Sequence, residues 1–465
     1  MKDYIAGFIL LFAFSISHAQ TQDSLSFIKS KRMSDADLAK KNEGTFFTGL
    51  PEASSDPVTG FGLGARINVY WNGKRDNPLF PYTPYLMKLK ANAAYYTSNA
   101  RELVLSLDVP YYKGTRWRFK VDFKAQQNPA NLYFGLTDAT LGNLSLPSDP
   151  NTTFSAYEEY DQARKTLRPG ETGETGEDAF VTDALSNRFR ETEFMLNLKA
   201  DHALGNGKWR LMGGYEIQHL SYKTFEGTEA DAINPATGKE TVAPNGFSLL
   251  QRDFESGKIS GLDGGWVSIL QTALIYDTRD FEPDPTKGAY FEIANEYSSN
   301  LIGSQFDFDK LFIQGRFYQK LPLGSRTVLA GRIGVGHIFG NNAPFFEFQD
   351  QWSPDGSVNA LGGKHSLRGY RANRFLSRSM WFANLELRYR AVEAKLGKQQ
   401  FGFGIAPFFD AGTVRNHWQD LNFKDIKYAY GVGLRVAWNQ STIIFLDYGV
   451  SKEDKLLYFG IGQAF

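Results

Sequence analysis

The chain of 465 residues carries 51 basic and 51 acidic side chains, so its formal charge is zero, and it has no cysteine. The balanced charge gives no sign of a polybasic patch for nucleic acid or an anionic membrane, and the lack of cysteine excludes disulfides and thiolate metal sites. Aromatic residues make up 15%, with 38 Phe and 23 Tyr beside 45 Gly, although the mean hydropathy of −0.37 reads as that of a soluble chain.

The chain opens MKDYIAGFILLFAFSISHAQ. One lysine precedes an apolar run from Ile5 to Phe14, and the small residues Ser17 and Ala19 suit the −3 and −1 positions of a cleavage site. The run is shorter than the roughly 20 residues needed to span a bilayer. Residues 1–19 therefore predict an export signal, with a mature chain beginning at Gln20. No cysteine follows, so a lipoprotein anchor is excluded. Residues 20–43 read as a short periplasmic segment ahead of the first strand. No later apolar run approaches the length of a transmembrane helix.

Period-two alternation then dominates. In TGFGLGARINVYW, Phe61, Leu63, Ala65, Ile67, Val69 and Trp71 share a face opposite Gly62, Gly64, Arg66 and Asn68. RELVLSLDVPYY and KYAYGVGLRVAWN repeat the pattern. One face is apolar with aromatic ends, and the other is glycine, charge and amide. A lipid-facing barrel with a polar lumen has this signature. Its backbone groups must all pair, so the sheet must close. Strands are expected near 58–72, 84–97, 100–112, 115–127, 189–204, 208–223, 266–279, 288–300, 304–321, 326–340, 379–391, 400–412, 427–439, 441–451 and 456–465. Single-chain barrels have even strand numbers. The short, weakly patterned Gly44–Glu52 supplies a first strand, giving a transmembrane antiparallel β-barrel of 16 strands over 44–465. The long connections 128–188, 224–265 and 341–378 each follow an odd strand and are expected outside the cell. LRPGETGETGED in the first is acidic and turn-rich, without the ligand spacing of a calcium loop.

Motifs for chemistry are lacking. The six histidines, His18, His202, His219, His337, His365 and His417, show no metal-ligand spacing. There is no Gly-x-Ser-x-Gly elbow. GFGLGA lacks the last glycine and the helix of a dinucleotide loop. No catalytic residue, cofactor or metal is expected.

Several stretches together resemble the BamA/TamA family of outer-membrane barrels, the bacterial surface antigen family. SLRGY, with Arg368, Gly369 and Tyr370, looks like that family's Arg-Gly-Phe/Tyr loop tip. PFFDAG holds Phe408-x-Asp410-x-Gly412. LIYDTRDFEPDPTKGAYFEI resembles its hairpin motif through Asp277, Arg279, Asp280, Pro285 and Gly288. LLYFGIGQAF ends on the aromatic Phe465, similar to the signal that directs such barrels to their own insertion. The resemblance implies an integral outer-membrane protein whose sixth external loop, 341–378, folds into the lumen and presents an arginine to acidic groups on the wall. Alternation independently points Glu386 inward from a lipid face of Trp381, Ala383, Leu385, Leu387 and Tyr389. It likewise points Asp410 and Phe408 inward. A guanidinium fork suits two such carboxylates, and an arginine there also serves simply to stiffen the barrel.

The residues between Ala19 and Gly44 are too few for the periplasmic POTRA modules of family members that assemble or secrete proteins. The expectation is a subgroup that is nearly all barrel. A protein-handling barrel would assist insertion or translocation of client proteins through a weak seam between first and last strands. The alternatives are a passive pore or structural surface barrel, and a barrel subunit that depends on a separate periplasmic partner.

Overall fold

The computed structural model describes residues 35–170, 180–282, 284–323, 327–396, 399–438 and 442–465, with Leu25, Phe27, Ile28, Arg32 and Met33 ahead of them. The export signal, its cleavage site and most of the acidic stretch 167–178 lie outside the described residues.

Sixteen antiparallel strands close into one barrel. They are β1 (Thr45–Asp56), β2 (Gly60–Trp71), β3 (Met87–Tyr96), β4 (Arg101–Val109), β5 (Trp117–Leu132), β6 (Arg188–Leu204), β7 (Trp209–Thr224) and β8 (Gly265–Asp277). Then come β9 (Gly288–Ser298), β10 (Phe308–Leu321), β11 (Thr327–Phe339), β12 (Ser379–Leu396), β13 (Gln399–Arg415), β14 (Lys427–Trp438), β15 (Thr442–Ser451) and β16 (Lys455–Ile461). Each strand pairs with its chain neighbour. No helix among the described residues is long and apolar enough to cross a membrane.

Side-chain alternation sorts the two faces of the sheet. On β12, Leu385, Leu387 and Tyr389 are exposed toward lipid while Glu386 is buried. On β13, Phe403, Ile405 and Phe409 face outward while Phe408 and Asp410 are buried. The connections after odd strands include the long 133–187, 225–264 and 340–378. They pack on one another at one end of the barrel. There Phe345 and Phe346 join Tyr133, Phe189, Tyr222 and Leu250 in an apolar cluster. At the other end Phe27 and Ile28 pack on Leu79 and Ala203, which seats the N-terminal segment against the short turns. Lys41 Nζ donates to the carbonyls of Phe80 (2.6 Å) and Thr83 (2.7 Å).

Both chain ends depart from the sequence reading. The first strand is not confined to Gly44–Glu52; it continues to Asp56 over twelve residues, all paired with β2. Ala53–Asp56 has no apolar alternation, but ladder bonds are made by backbone, so a polar stretch can follow its neighbour. The last strand ends at Ile461, short of Phe465. Gly462 takes φ +126°, and its N–H bonds the Ile443 carbonyl at 2.7 Å. A positive φ breaks the extended path. Phe465 therefore does not share a strand face with Phe459, Ile461 and Gln463. It is buried against Tyr318, Val328 and Ala330. The closing pair lies beyond the expected segment as well: β1 and β16 meet in the single register pair Ser55↔Phe459, whereas β15 and β16 share seven pairs.

Candidate functional site

The connection 340–378 reaches the inner wall through a glycine-bent turn. Ser366 Oγ donates to the Ala360 carbonyl (2.7 Å) and accepts from Gly362 N–H (3.0 Å). Gly369 takes φ +91°, and a Cβ there would stand 3.0 Å from the Val450 carbonyl carbon. The missing side chain lets the turn lie directly on β15. Leu361, Leu367, Tyr370 and Phe375 pack against Phe312, Met380, Phe382 and Val414 of the wall.

This packing aims Arg368 at three carboxylates from three strands. Its Nε and Nη2 donate to the two oxygens of Asp410 (2.8 and 2.9 Å). Its Nη1 donates to Glu386 (2.7 Å) and to Asp447 (2.9 Å). Its backbone N–H adds a bond to Asp410 (3.1 Å), and its guanidinium lies 3.5 Å from the centre of the Phe408 ring. Arg368 is 1% exposed; Glu386 and Asp410 are 0% and Asp447 is 2%. Arg388 donates to Glu386 (2.9 Å), and Arg435 pairs with Asp447 and approaches Glu386 at 3.6 Å. Three guanidinium groups thus meet three carboxylates. Ions this deeply buried persist only when paired and hydrogen-bonded throughout.

Asp447, Arg388 and Arg435 were not singled out from the sequence. Asp447 carried a usable signal, since in STIIFLDYGVS it alternates with Ile444, Leu446 and Tyr448 as Asp410 does with its own neighbours.

The hairpin motif forms a separate centre in the turn between β8 and β9. Arg279 forks onto Asp277 (3.0 and 3.0 Å) and reaches Asp355 in the long connection (3.0 Å). Arg316 also pairs with Asp355 (2.6 Å). Asp280 accepts from Thr286 Oγ1 (2.6 Å) and from the N–H groups of Thr286, Phe281 and Lys287 (2.9, 3.1 and 3.3 Å). Partial burial opposes its charge, yet these bonds, led by those from Thr286, hold the Asp280 carboxyl below its ordinary range. Gly288 has φ +106°, and a Cβ would stand 2.3 Å from the Thr278 carbonyl oxygen. Pro285 lies in the same turn, with no bond to the Arg368 group.

Phe465 borders the Arg368 centre through Arg388. Its ring sits between Arg332 (4.9 Å) and Arg388 (5.1 Å), and Arg388 Nη2 donates to its carbonyl oxygen (2.9 Å). Among the described residues no cluster of His, Asp and Glu has the arrangement of a metal site.

A closed antiparallel barrel with a lipid-facing apolar girdle and a charged lumen partly filled by a folded-in loop defines the class: an integral outer-membrane β-barrel. The Omp85 superfamily domain matches residues 61–465, and the chain belongs to that superfamily. A domain of unknown function (DUF5982) matches residues 23–86. The chain is 24% identical over 215 residues to the SAM50-like protein CG7639 of Drosophila melanogaster, covering 43% of this chain and 45% of that protein. Among solved structures it is similar to BamA from Haemophilus ducreyi lacking POTRA domains 1–3, at 13% identity and a TM-score of 0.50, over 90% of this chain and 70% of that one. It is also similar to CdiB from Escherichia coli, at 11% identity and a TM-score of 0.50, over 90% of this chain and 62% of that one. The chain thus spans less than half the length of the curated relative.

Proposed function

We propose that this barrel assists insertion or translocation of proteins at the outer membrane, using the joint between β1 and β16. The observation that carries the reading is the single pair Ser55↔Phe459 at that joint. Below it, Thr45–Ser54 has no register partner on the side away from β2, and for Thr45–Glu52 the reason is that the last strand ends at Ile461 and its tail turns into the lumen. Such an edge offers backbone donors and acceptors to an incoming client strand. Pro51 removes one donor, which is tolerable on an edge.

The loop that carries Arg368 also bears on the joint. Arg371 donates to Asp454 in the β15–β16 turn (2.9 Å) and to the Pro57 carbonyl in the β1–β2 turn (2.7 Å). It spans the seam at the end opposite the unpaired stretch. In this reading the Arg368 group holds the loop on β12 to β15, and Arg371 ties that unit to the first hairpin. Clients are outer-membrane or surface proteins, and a separate periplasmic partner delivers them. The export signal over 1–19, the segment 20–43 and the barrel over 44–465 are the domains of this reading. Phe465 serves the chain's own insertion, and no catalytic step is involved.

The test is a disulfide lock. The chain has no native cysteine. The Ser55→Cys/Phe459→Cys pair locks the seam, and Leu274→Cys/Ile293→Cys locks two central strands. Each variant is reconstituted in vesicles and scored for assisted folding of a client barrel. Oxidation of the seam pair should abolish assistance and reductant should restore it, while the central pair has no effect. Full activity with the seam quantitatively cross-linked rules out the mechanism.

A second reading is a structural barrel without activity. It is favoured by the complete ion pairing of Arg368, which would equally stiffen a plug that never moves.

A further inference from the structure

Most lumen cations on the first strands have a carboxylate partner. Arg66 pairs with Glu52, Arg118 with Asp108, Lys124 with Glu193 and Lys199 with Asp122, at 2.5–2.9 Å. Lys88, Lys90 and Lys120 do not. Among the described residues none of the three makes a salt bridge or donates a hydrogen bond; Lys88 lies over the rings of Tyr70 (5.4 Å) and Tyr85 (5.8 Å). All three line one lumen cavity of about 380 Å³, at the end with the short turns and under Trp352–Ser357.

The strand register explains why they are left over. Lys88, Asp108, Lys120 and Lys199 lie directly opposite one another across β3, β4, β5 and β6. That row holds three lysines and one aspartate. Asp108 is committed to Arg118, which forks onto it at 2.7 and 2.5 Å, and to Tyr85 (2.7 Å). Lys199 takes Asp122 from the next row, which leaves Lys90 without a partner there. The other carboxylates of the cavity are engaged too. Asp355 pairs with Arg279 and Arg316, and Glu216 accepts from Asn197 and Gln271. Lys120 in addition stands directly opposite Lys199, and like charges so placed in a sheet repel.

We propose that this cavity binds a phosphate-bearing anion through Lys88, Lys90 and Lys120. Lys88 and Lys120 are two strand spacings apart, about 10 Å, so an extended anion with more than one charge can reach both. Ammonium groups on flexible stems suit phosphate as point charges, without the planar geometry that favours arginine for carboxylates. The site is independent of the seam. The same chemistry serves a soluble phosphate ester or a phosphorylated lipid headgroup.

The experiment is titration of the purified full-length barrel with inorganic pyrophosphate at low salt, followed by calorimetry. Wild type should bind with release of heat that added salt suppresses. Lys88→Gln/Lys90→Gln/Lys120→Gln should weaken binding at least tenfold. The corresponding triple arginine variant and the exposed-loop control Lys239→Gln should bind as wild type does. If the triple glutamine variant does not fold, Lys90→Gln alone carries the test, with an expected loss of about threefold. Repeating the titration in nanodiscs of phosphatidylglycerol and of phosphatidylcholine distinguishes the sources. Weaker pyrophosphate binding in phosphatidylglycerol alone assigns the site to a lipid headgroup, and equal binding assigns it to a soluble phosphate. Wild-type binding no tighter than that of the glutamine variant overturns the proposal. So does a glutamate-rich peptide that outcompetes pyrophosphate at equal charge.

Discussion

Arg368→Ala removes one cation from a buried group of three arginines and three carboxylates. The side chain makes four hydrogen bonds, two to Asp410 and one each to Glu386 and Asp447. In the variant Glu386 and Asp447 retain Arg388 and Arg435. Asp410 fares worst, since it keeps only the backbone N–H of residue 368 and the Asn384 amide (2.8 Å). Removing one partner of a buried ion pair costs about 3–5 kcal/mol, and loss of the contact with the Phe408 face adds about 1 kcal/mol. Arg368→Lys keeps the charge but not the fork. Losing one or two charged hydrogen bonds predicts an intermediate cost of about 2–3 kcal/mol. Arg368→Met combined with Asp410→Leu removes a charge of each sign, and should recover part of the loss of the alanine variant. The assay is the denaturant midpoint of the purified barrel, read by heat-modifiable migration on a gel. An alanine variant within about 1 kcal/mol of wild type, the range of an exposed pair, would refute the view that these carboxylates depend on Arg368.

Arg371→Ala should speed hydrogen exchange at the amides of β1 and β16 while leaving β8 and β9 unchanged; equal rates throughout would remove Arg371 from the seam. Asp280→Ala should loosen the β8–β9 turn. Because the folded carboxyl titrates below its ordinary value, its stabilising effect is complete above that ordinary value, near pH 4, and is lost as pH falls through the folded one. The stability gap between wild type and variant should therefore be constant at neutral pH and narrow in acid, and a gap independent of pH counts against the carboxylate bonds. Deleting Phe465 should lower the yield of heat-modifiable barrel in cells. Refolding the purified chain in detergent then separates lost packing on Tyr318 and Val328 from lost reading of an insertion signal, because only the former survives without the cell's machinery.

Alternation is a local property, and a two-residue period decides which side chains of a strand share a face. The sequence by itself therefore determined the barrel class, fifteen strands to which the even-number rule added a sixteenth, and the inward side of Glu386, Asp410 and Phe408. It did not determine which strands meet, because register and closure depend on contacts far apart in the chain. Only the tertiary structure brought Asp447 and Arg435 to the guanidinium of Arg368, joined Arg371 to turns on both sides of the seam, left Lys88 and Lys120 in a row whose one aspartate was already taken, and gave the aspartate of Lys90's row to Lys199. The chain ends were least legible. Gly460 stays within β16 while Gly462, two residues on, turns the chain into the lumen. Both are glycines in the same short run, and the difference between them is that the aromatic ring of Phe465 finds Tyr318, Val328 and two arginines inside the barrel.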